Sequence, residues 1–363
     1  MDRIYYLGFS VFSGIGPVKF KQLIQRFETP KNAWFASAYD LKEALGENLS
    51  LKFDKFRTAF VLKIYQQKLK EKQVKFLTID DNEYPKLLKQ SKKAPFVLYI
   101  KGSFDFLSPK NQKTIGVVGA RKITNYGREV TRIFCEDLIS NSFTIVSGLA
   151  LGVDAVAAQT AIENGGKTVA VLGNGVDLCY PSVNQNLYDS IIKNDGAVVS
   201  EVPIGQTPGR GLFPARNRII SGLSLGVLVT EGAQDSGSLI TAENAFENNR
   251  PVFAVPGPIT SQMSGGPYKL IQKGAKLVIN AEEIIKEIDP STSLGMTIKK
   301  REKTIKGDTK NEQKVINLLQ DEPLTFDQLV RKTGFDTSKI ASILSLLEVK
   351  GFIRSLGELY QVN

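Results

Sequence analysis

Histidine is absent from all 363 residues. That single absence removes Ser-His and Cys-His nucleophilic sites, histidine metal ligands and histidine general bases together. Cysteine is nearly absent too: Cys135 and Cys179 lie far apart, each in an apolar setting. They cannot make a disulfide framework or a Cys-x-x-Cys site, and both read as reduced core residues. No apolar run reaches membrane-spanning length and no signal-peptide pattern opens the chain, so the expected compartment is the cytoplasm, with no membrane partner. A Walker phosphate loop is missing, and Gly116-Val117-Val118-Gly119-Ala120-Arg121 is not the Gly-x-Gly-x-x-Gly dinucleotide fingerprint. Neither metal-ligand spacing nor a nucleophile-plus-base pattern appears. The sequence therefore assigns no catalytic residue, no cofactor and no metal.

Positive charge is in excess. Lys and Arg number 47 against 37 Asp and Glu, a formal charge of +10. Such a balance suits a polyanionic partner, although basic proteins without one are common. The length allows two or three domains and a sizeable core.

Residues 1–75 read as short helices. Ser13-Gly14-Ile15-Gly16-Pro17 separates two of them in the manner of a helix-hairpin-helix or SAM-like domain. Such a turn can offer backbone N–H groups to a phosphate, and it can equally serve only to pack helices. Trp34, Phe35, Leu41 and Leu45 are expected in the core, and one further helix is expected over Leu51–Lys72 with Phe56, Phe60 and Ile64 on its apolar face. Residues 76–110, with short strands at Phe76–Ile79 and Phe96–Ile100, read as a connection. From about Lys113 short strands alternate with helices, so residues 76–288 are expected to be an α/β domain: a Rossmann-like parallel sheet with helices on both faces. Residues 289–310, with Lys299-Lys300-Arg301-Glu302-Lys303, are a polar linker that has little to bury. Residues 311–363 show three helices and a hairpin, a winged-helix pattern with Asp336 or Thr337 as a helix cap. The candidate recognition helix offers Ser338, Lys339, Ser342, Ser345 and Glu348, which suits protein contact at least as well as groove reading.

The chain is organised around Phe213-Pro214-Ala215-Arg216-Asn217-Arg218. Pro214 reads as a helix start, which would put Arg216, Asn217 and Arg218 in the first turn, where free N–H groups and the dipole attract an anion. Four other loops follow strands and carry glycine: Gly119-Ala120-Arg121-Lys122, Ser147-Gly148-Leu149-Ala150, Leu172-Gly173-Asn174-Gly175 and Asp235-Ser236-Gly237-Ser238. Basic and small residues thus converge on the strand ends where α/β sheets take ligands, which predicts a phosphate site. Lys167 precedes a strand, so it lies at the other end of the sheet and would serve a groove instead. Asp154, Asp177, Glu201, Glu231 and Asp235 are the acids within the domain, and a pair of them can in principle do acid/base work.

Taken in order, these stretches resemble the DNA-processing protein A (DprA/Smf) family. The resemblance rests on Gly119-Ala120-Arg121 through Tyr126-Gly127, Ser147 to Asp154, Leu172 to Gly175 with Tyr180-Pro181, Phe213 to Ser224, Ser236 to Ala242, Val252 to Gly257 and Leu270 to Ala275. It implies a single-stranded DNA-binding protein of natural transformation that protects incoming strands, forms a homodimer and helps load the RecA recombinase. Matched by motif, its implied DNA contacts are Arg121, Ser147, Lys167, Phe213, Arg216, Asn217, Arg218, Ser236 and Gly237. Arginines track phosphates and an aromatic such as Phe213 can stack a base; packing beside Pro214 is its alternative use. Two positions depart from the family pattern: Ala158 stands where members often have histidine, and Tyr268 where they often have asparagine. A nucleotide-processing enzyme of the Rossmann-like phosphoribohydrolase type is the alternative, although its Pro-Gly-Gly-x-Gly-Thr motif is not present. A third reading makes the chain an adaptor whose end domains recruit proteins.

Overall fold

Consecutive parallel strands need crossover helices, and the central sequence provides one between nearly every pair. In a computed structural model, which describes residues 2–105, 113–209, 211–288 and 307–362, the chain divides into two compact units, 1–294 and 295–363. The linker expected at 289–310 lies outside the described residues as far as position 306.

The first unit opens with helices α1 (Arg3–Val11), α2 (Pro17–Phe27), α3 (Pro30–Phe35), α4 (Ala38–Leu45), α5 (Glu47–Ala59) and α6 (Leu62–Glu71). Strand β1 (Lys75–Thr78), the short α7 (Lys86–Lys89) and β2 (Val97–Gly102) follow. The alternating region is β3 (Thr114–Val118), α8 (Asn125–Ser140), β4 (Thr144–Ser147), α9 (Val153–Glu163), β5 (Thr168–Val171), α10 (Gln185–Lys193) and β6 (Ala197–Ser200). It continues through α11 (Leu212–Leu223), β7 (Gly226–Val229), α12 (Ser238–Glu247), β8 (Val252–Ala254), α13 (Gly265–Gln272), β9 (Lys276–Leu277) and α14 (Ala281–Ile288).

These strands form a nine-stranded sheet in the order β1-β2-β6-β5-β4-β3-β7-β8-β9. From β6 to β9 every neighbouring pair is parallel. The chain runs outward from β3 to β6, then returns to the other side of β3 for β7, so the order reverses between β3 and β7. That reversal opens a crevice beyond the carboxyl ends of those two strands. The segment that the sequence suggested as a connection adds an antiparallel margin, with β2 on β6 and β1 on β2. Side chains alternate across the sheet as a period of two demands. Val97, Tyr99, Ala170 and Val198 face one core, and Leu98, Ile100, Val169 and Val199 face the other.

The first core is shared with the N-terminal helices. Phe9, Phe20, Trp34 and Phe53 lie in one cluster with Phe96, Val97 and Tyr99. Phe20 stacks on Phe96 with ring centroids 4.0 Å apart. Ser10 and Tyr65 both hydrogen-bond to the Tyr99 hydroxyl, at 2.5 and 3.3 Å. Two expectations are corrected here. The single helix over Leu51–Lys72 is two helices broken at Phe60 and Val61, both extended, because the break lets Phe60 stack on Phe56 and meet Tyr65. Ile64 and Phe35 are exposed, at 55% and 68%.

An ion pair also ties the helices to the sheet: Lys72, just beyond α6, meets Asp177, which accepts from the Gly205 N–H at 2.8 Å. Burial raises the Asp177 pKa, but Lys72 and the Gly205 N–H more than offset this and hold it below its ordinary value. Its contribution is therefore present at neutral pH and is lost as pH falls through that depressed value. Lys72→Met is expected to shift the midpoint of acid unfolding to higher pH. An acid titration followed by circular dichroism checks this, and an unchanged midpoint would remove the pair's role.

The second unit holds α15 (Lys310–Asp321), β10 (Leu324–Thr325), α16 (Phe326–Thr333), α17 (Thr337–Val349), β11 (Ile353–Leu356) and β12 (Leu359–Val362). Thr325 and Gln328 form a capping box on α16, and Asp336 caps α17 by accepting from the Lys339 N–H. The hairpin β11–β12 with β10 completes a winged helix. On α17, Ser338, Lys339, Ser342, Ser345 and Glu348 are all exposed, as are Leu346 and Val349.

Candidate nucleic-acid interface

A cleft of about 460 Å³ occupies the switch point. Its walls are the loop after β3, the loop after β4, the first turns of α11 and the entry to α12. These are the strand-end loops whose glycines and cations the sequence singled out.

Arg121 and Lys122 stand exposed on the rim beyond β3. The Arg121 guanidinium lies over the Phe213 ring, 5.6 Å from its centroid. Phe213 is half-buried, and Tyr180 packs beside it with centroids 5.5 Å apart and planes tilted by 36°.

Helix α11 begins at Leu212 after Gly211, which takes a left-handed φ of 87°. It therefore starts two residues before Pro214, which corrects the expected start. Arg216, Asn217 and Arg218 occupy the second turn, so they act through their side chains and not through free backbone N–H groups.

Arg216 is buried, 5% exposed, and its Nη1 donates to the Val171 carbonyl at 2.9 Å. Its Nε has no partner. Gly148 makes room for it, since a Cβ there would lie 1.5 Å from Arg216 Nη1. Below it sits Asp154, also buried, which accepts from the Gly148 and Ala150 N–H groups at 3.1 and 3.3 Å. Burial lowers the Arg216 pKa, against the pull of Asp154, and burial raises the Asp154 pKa, against the pull of Arg216. Both line the cleft. The attraction between the two charges offsets part of the cost of burying each.

The remaining candidates divide. Asn217 donates from Nδ2 to the Gly237 carbonyl at 3.1 Å and so ties α11 to the α12 entry. Ser236 and Gly237 line the cleft there, and the Ser236 hydroxyl is 2.8 Å from that of Ser238. Arg218 points elsewhere: it is ion-paired with Glu201 and donates to the Lys93 carbonyl. Burial raises the Glu201 pKa, with Arg218 opposing. Ser147 is 1% exposed, and its hydroxyl donates to the Val117 carbonyl at 2.7 Å. Lys167 precedes β5, at the amino end of the strands, and pairs with Asp195 at 3.2 Å. The structure thus gathers Arg121, Phe213, Arg216, Asn217, Ser236 and Gly237 at one cleft, and leaves Ser147, Lys167 and Arg218 off it.

Of the five acids, Asp235 is exposed and the other four are occupied structurally. Glu231 is buried and accepts from the Thr124 N–H and hydroxyl at 2.8 and 2.7 Å, at the start of α8. Asp154 holds its loop, Asp177 holds Lys72, and Glu201 holds Arg218. Among the described residues no cluster of Asp, Glu or Cys could hold a metal ion, and no helix is long and apolar enough to cross a membrane.

Fold and site define a Rossmann-like α/β protein with a cationic, partly aromatic switch-point cleft and a separate winged-helix domain. More particularly, the chain belongs to the DNA recombination-mediator protein A family, whose model matches residues 75–289, and the DprA winged helix domain model matches residues 299–358. Protein Smf of Synechocystis sp. is 34% identical over 384 residues, covering 97% of this chain and 96% of that relative. The X-ray structure of DNA processing protein A from Streptococcus pneumoniae superposes with a TM-score of 0.68 at 36% identity, over 78% of this chain and 96% of the other. A Helicobacter pylori structure, described as giving insight into the single-stranded DNA binding mode of DNA processing protein A, superposes with a TM-score of 0.54 at 29% identity, over 60% of this chain and 97% of the other.

Proposed function

We propose that this chain is a DNA-processing protein that binds single-stranded DNA in the switch-point cleft, and that it acts by binding and not by catalysis. The observation that carries the reading is the cleft itself. Two exposed cations, Arg121 and Lys122, stand at the mouth, an unpartnered guanidinium nitrogen of Arg216 lies within, and the α12 entry closes the far wall. Phosphates neutralise such a set, and the aromatic rings beside it suit bases. The Helicobacter pylori relative, whose description speaks of single-stranded DNA binding, supports the same ligand. The finer reading follows the family resemblance: protection of incoming strands in natural transformation, help in loading RecA, a homodimer and a cytoplasmic location. The nucleotide-processing alternative has less support, because Asp154, Glu201 and Glu231 are each held by structural partners.

Arg121→Ala/Lys122→Ala is the variant that tests the reading, since both side chains are exposed and neither makes an ion pair among the described residues. Fluorescence anisotropy with oligo-dT is run at several salt concentrations. The wild type is expected to lose affinity steeply as salt rises. The double variant is expected to bind more weakly, with a log-log slope shallower by about 1.4, at roughly 0.7 per phosphate contact on a single strand. Equal slopes for the two proteins would count against DNA in this cleft.

A further inference from the structure

Phe213 is the ring that the sequence nominates for base stacking, yet it is the interior member of a ladder. Arg121 lies over it at 5.6 Å and Tyr180 packs beside it at 5.5 Å. The exposed member is Tyr180, with 46% of its surface free. An exposed tyrosine is not by itself a site, but three further observations place this one. Tyr180 is in contact with a cleft-lining residue. Asn184, four residues on, donates to the Leu149 and Ala150 carbonyls at 2.9 and 3.4 Å, which fastens the Tyr180 loop to the cleft wall. Leu151 and Val183, on the two segments that Asn184 joins, are exposed at 45% and 73%. The exposed cations at the cleft mouth therefore have an exposed aromatic ring close by, joined to them through Phe213. A single strand presents the matching pair of features, phosphates along one edge and unpaired base faces along the other.

From this arrangement we infer that Tyr180 is a base-stacking residue: a strand whose phosphates meet Arg121 and Lys122 lays a base on the free face of Tyr180, whose ring is supported by Phe213. The inference rests on the cleft reading above. It also gives the site a preference for single strands, since a paired and stacked base has no free face to offer.

The test uses the full chain, oligo-dT anisotropy, and an oligonucleotide carrying 2-aminopurine, whose fluorescence falls when the base stacks. Tyr180→Ala is expected to weaken binding by about 10-fold or more, within the range a single stacked base contributes. Its salt slope stays that of the wild type, because no phosphate contact is lost, and its 2-aminopurine signal is less quenched. Tyr180→Trp restores both affinity and quenching. Tyr180→Leu keeps apolar bulk against Phe213 but has no aromatic face, and is expected to behave like the alanine variant. Wild-type affinity and quenching in the alanine and leucine variants would overturn the inference and leave the cleft reading standing if Arg121→Ala/Lys122→Ala still binds more weakly. A Tyr180 variant that changes only the sedimentation behaviour would give the ring to a second copy of the chain and overturn it too. No binding by the wild type at any salt would overturn the cleft reading and this inference together.

Discussion

Gly148→Ala is expected to cost the protein about 1–3 kcal/mol of stability, the scale on which a buried polar group is left without its hydrogen-bond partner. The added Cβ would lie 1.5 Å from Arg216 Nη1, 2.3 Å from Cζ and 2.5 Å from Nη2, so the guanidinium has to leave. It then gives up the Val171 carbonyl and takes its charge away from Asp154, whose carboxylate stays buried on the Gly148–Ala150 loop. Urea unfolding reads the loss as a lower midpoint at nearly constant slope. Gly237→Ala is the control, because a Cβ there meets nothing within 4 Å and the residue already has a helical φ of −61°. It is expected within about 0.5 kcal/mol of the wild type. A Gly148→Ala protein as stable as the control would mean that the guanidinium is not held where the cleft needs it.

Phe213→Ala is expected to give a large loss of single-stranded DNA affinity, about 1–3 kcal/mol or roughly 5- to 150-fold. It takes away the surface beneath Arg121 and the ring behind Tyr180 in one step. Fluorescence anisotropy measures the loss, and the salt slope separates its causes. A slope kept at the wild-type value assigns the loss to stacking, whereas a shallower slope means that Arg121 has lost its phosphate with its support. Phe213→Tyr, which keeps the ring, is expected to bind like the wild type. Undiminished affinity in Phe213→Ala would leave the ladder without a role in DNA binding.

The sheet was legible because its strands are short apolar runs bounded by glycine-bearing loops, and because crossover helices restrict strand order severely. The convergence of Arg121, Phe213, Arg216 and Ser236 on one cleft was legible for the same reason, since all follow from loops at the carboxyl ends of strands. The division among neighbouring cations was not. Arg216 and Arg218 are two positions apart, so a helix turns them some 200° from one another. One faces the cleft, and the other faces Glu201 and Lys93, residues that no local pattern links to it. Ser147 ends a buried strand, and which strand-end hydroxyls reach solvent depends on the loops folded above them. In the sequence Tyr180 stands out only as half of a Tyr-Pro pair. Its exposure beside Phe213 is a product of tertiary packing, and an aromatic before a proline carries no local signal of it. The break at Phe60–Val61 escaped because helical periodicity continues through it, while packing against Phe56 and Tyr65 favours two shorter helices.

The core that the N-terminal helices share with the sheet bears on how this architecture can be rearranged. Phe20, Trp34 and Phe53 lie in one cluster with Phe96, Val97 and Tyr99, and the Tyr99 hydroxyl answers to both Ser10 and Tyr65. The helices are thus a lid on one sheet margin and not a bead on a string. A recombination event that joined a foreign N-terminus at Lys75 would inherit an uncovered apolar face, and would survive only with a replacement cover or a run of polar substitutions along β2. Exchange is simpler at the other junction, where the winged helix carries its own core of Val315, Leu329, Ile340 and Leu347 and can be traded as a finished piece.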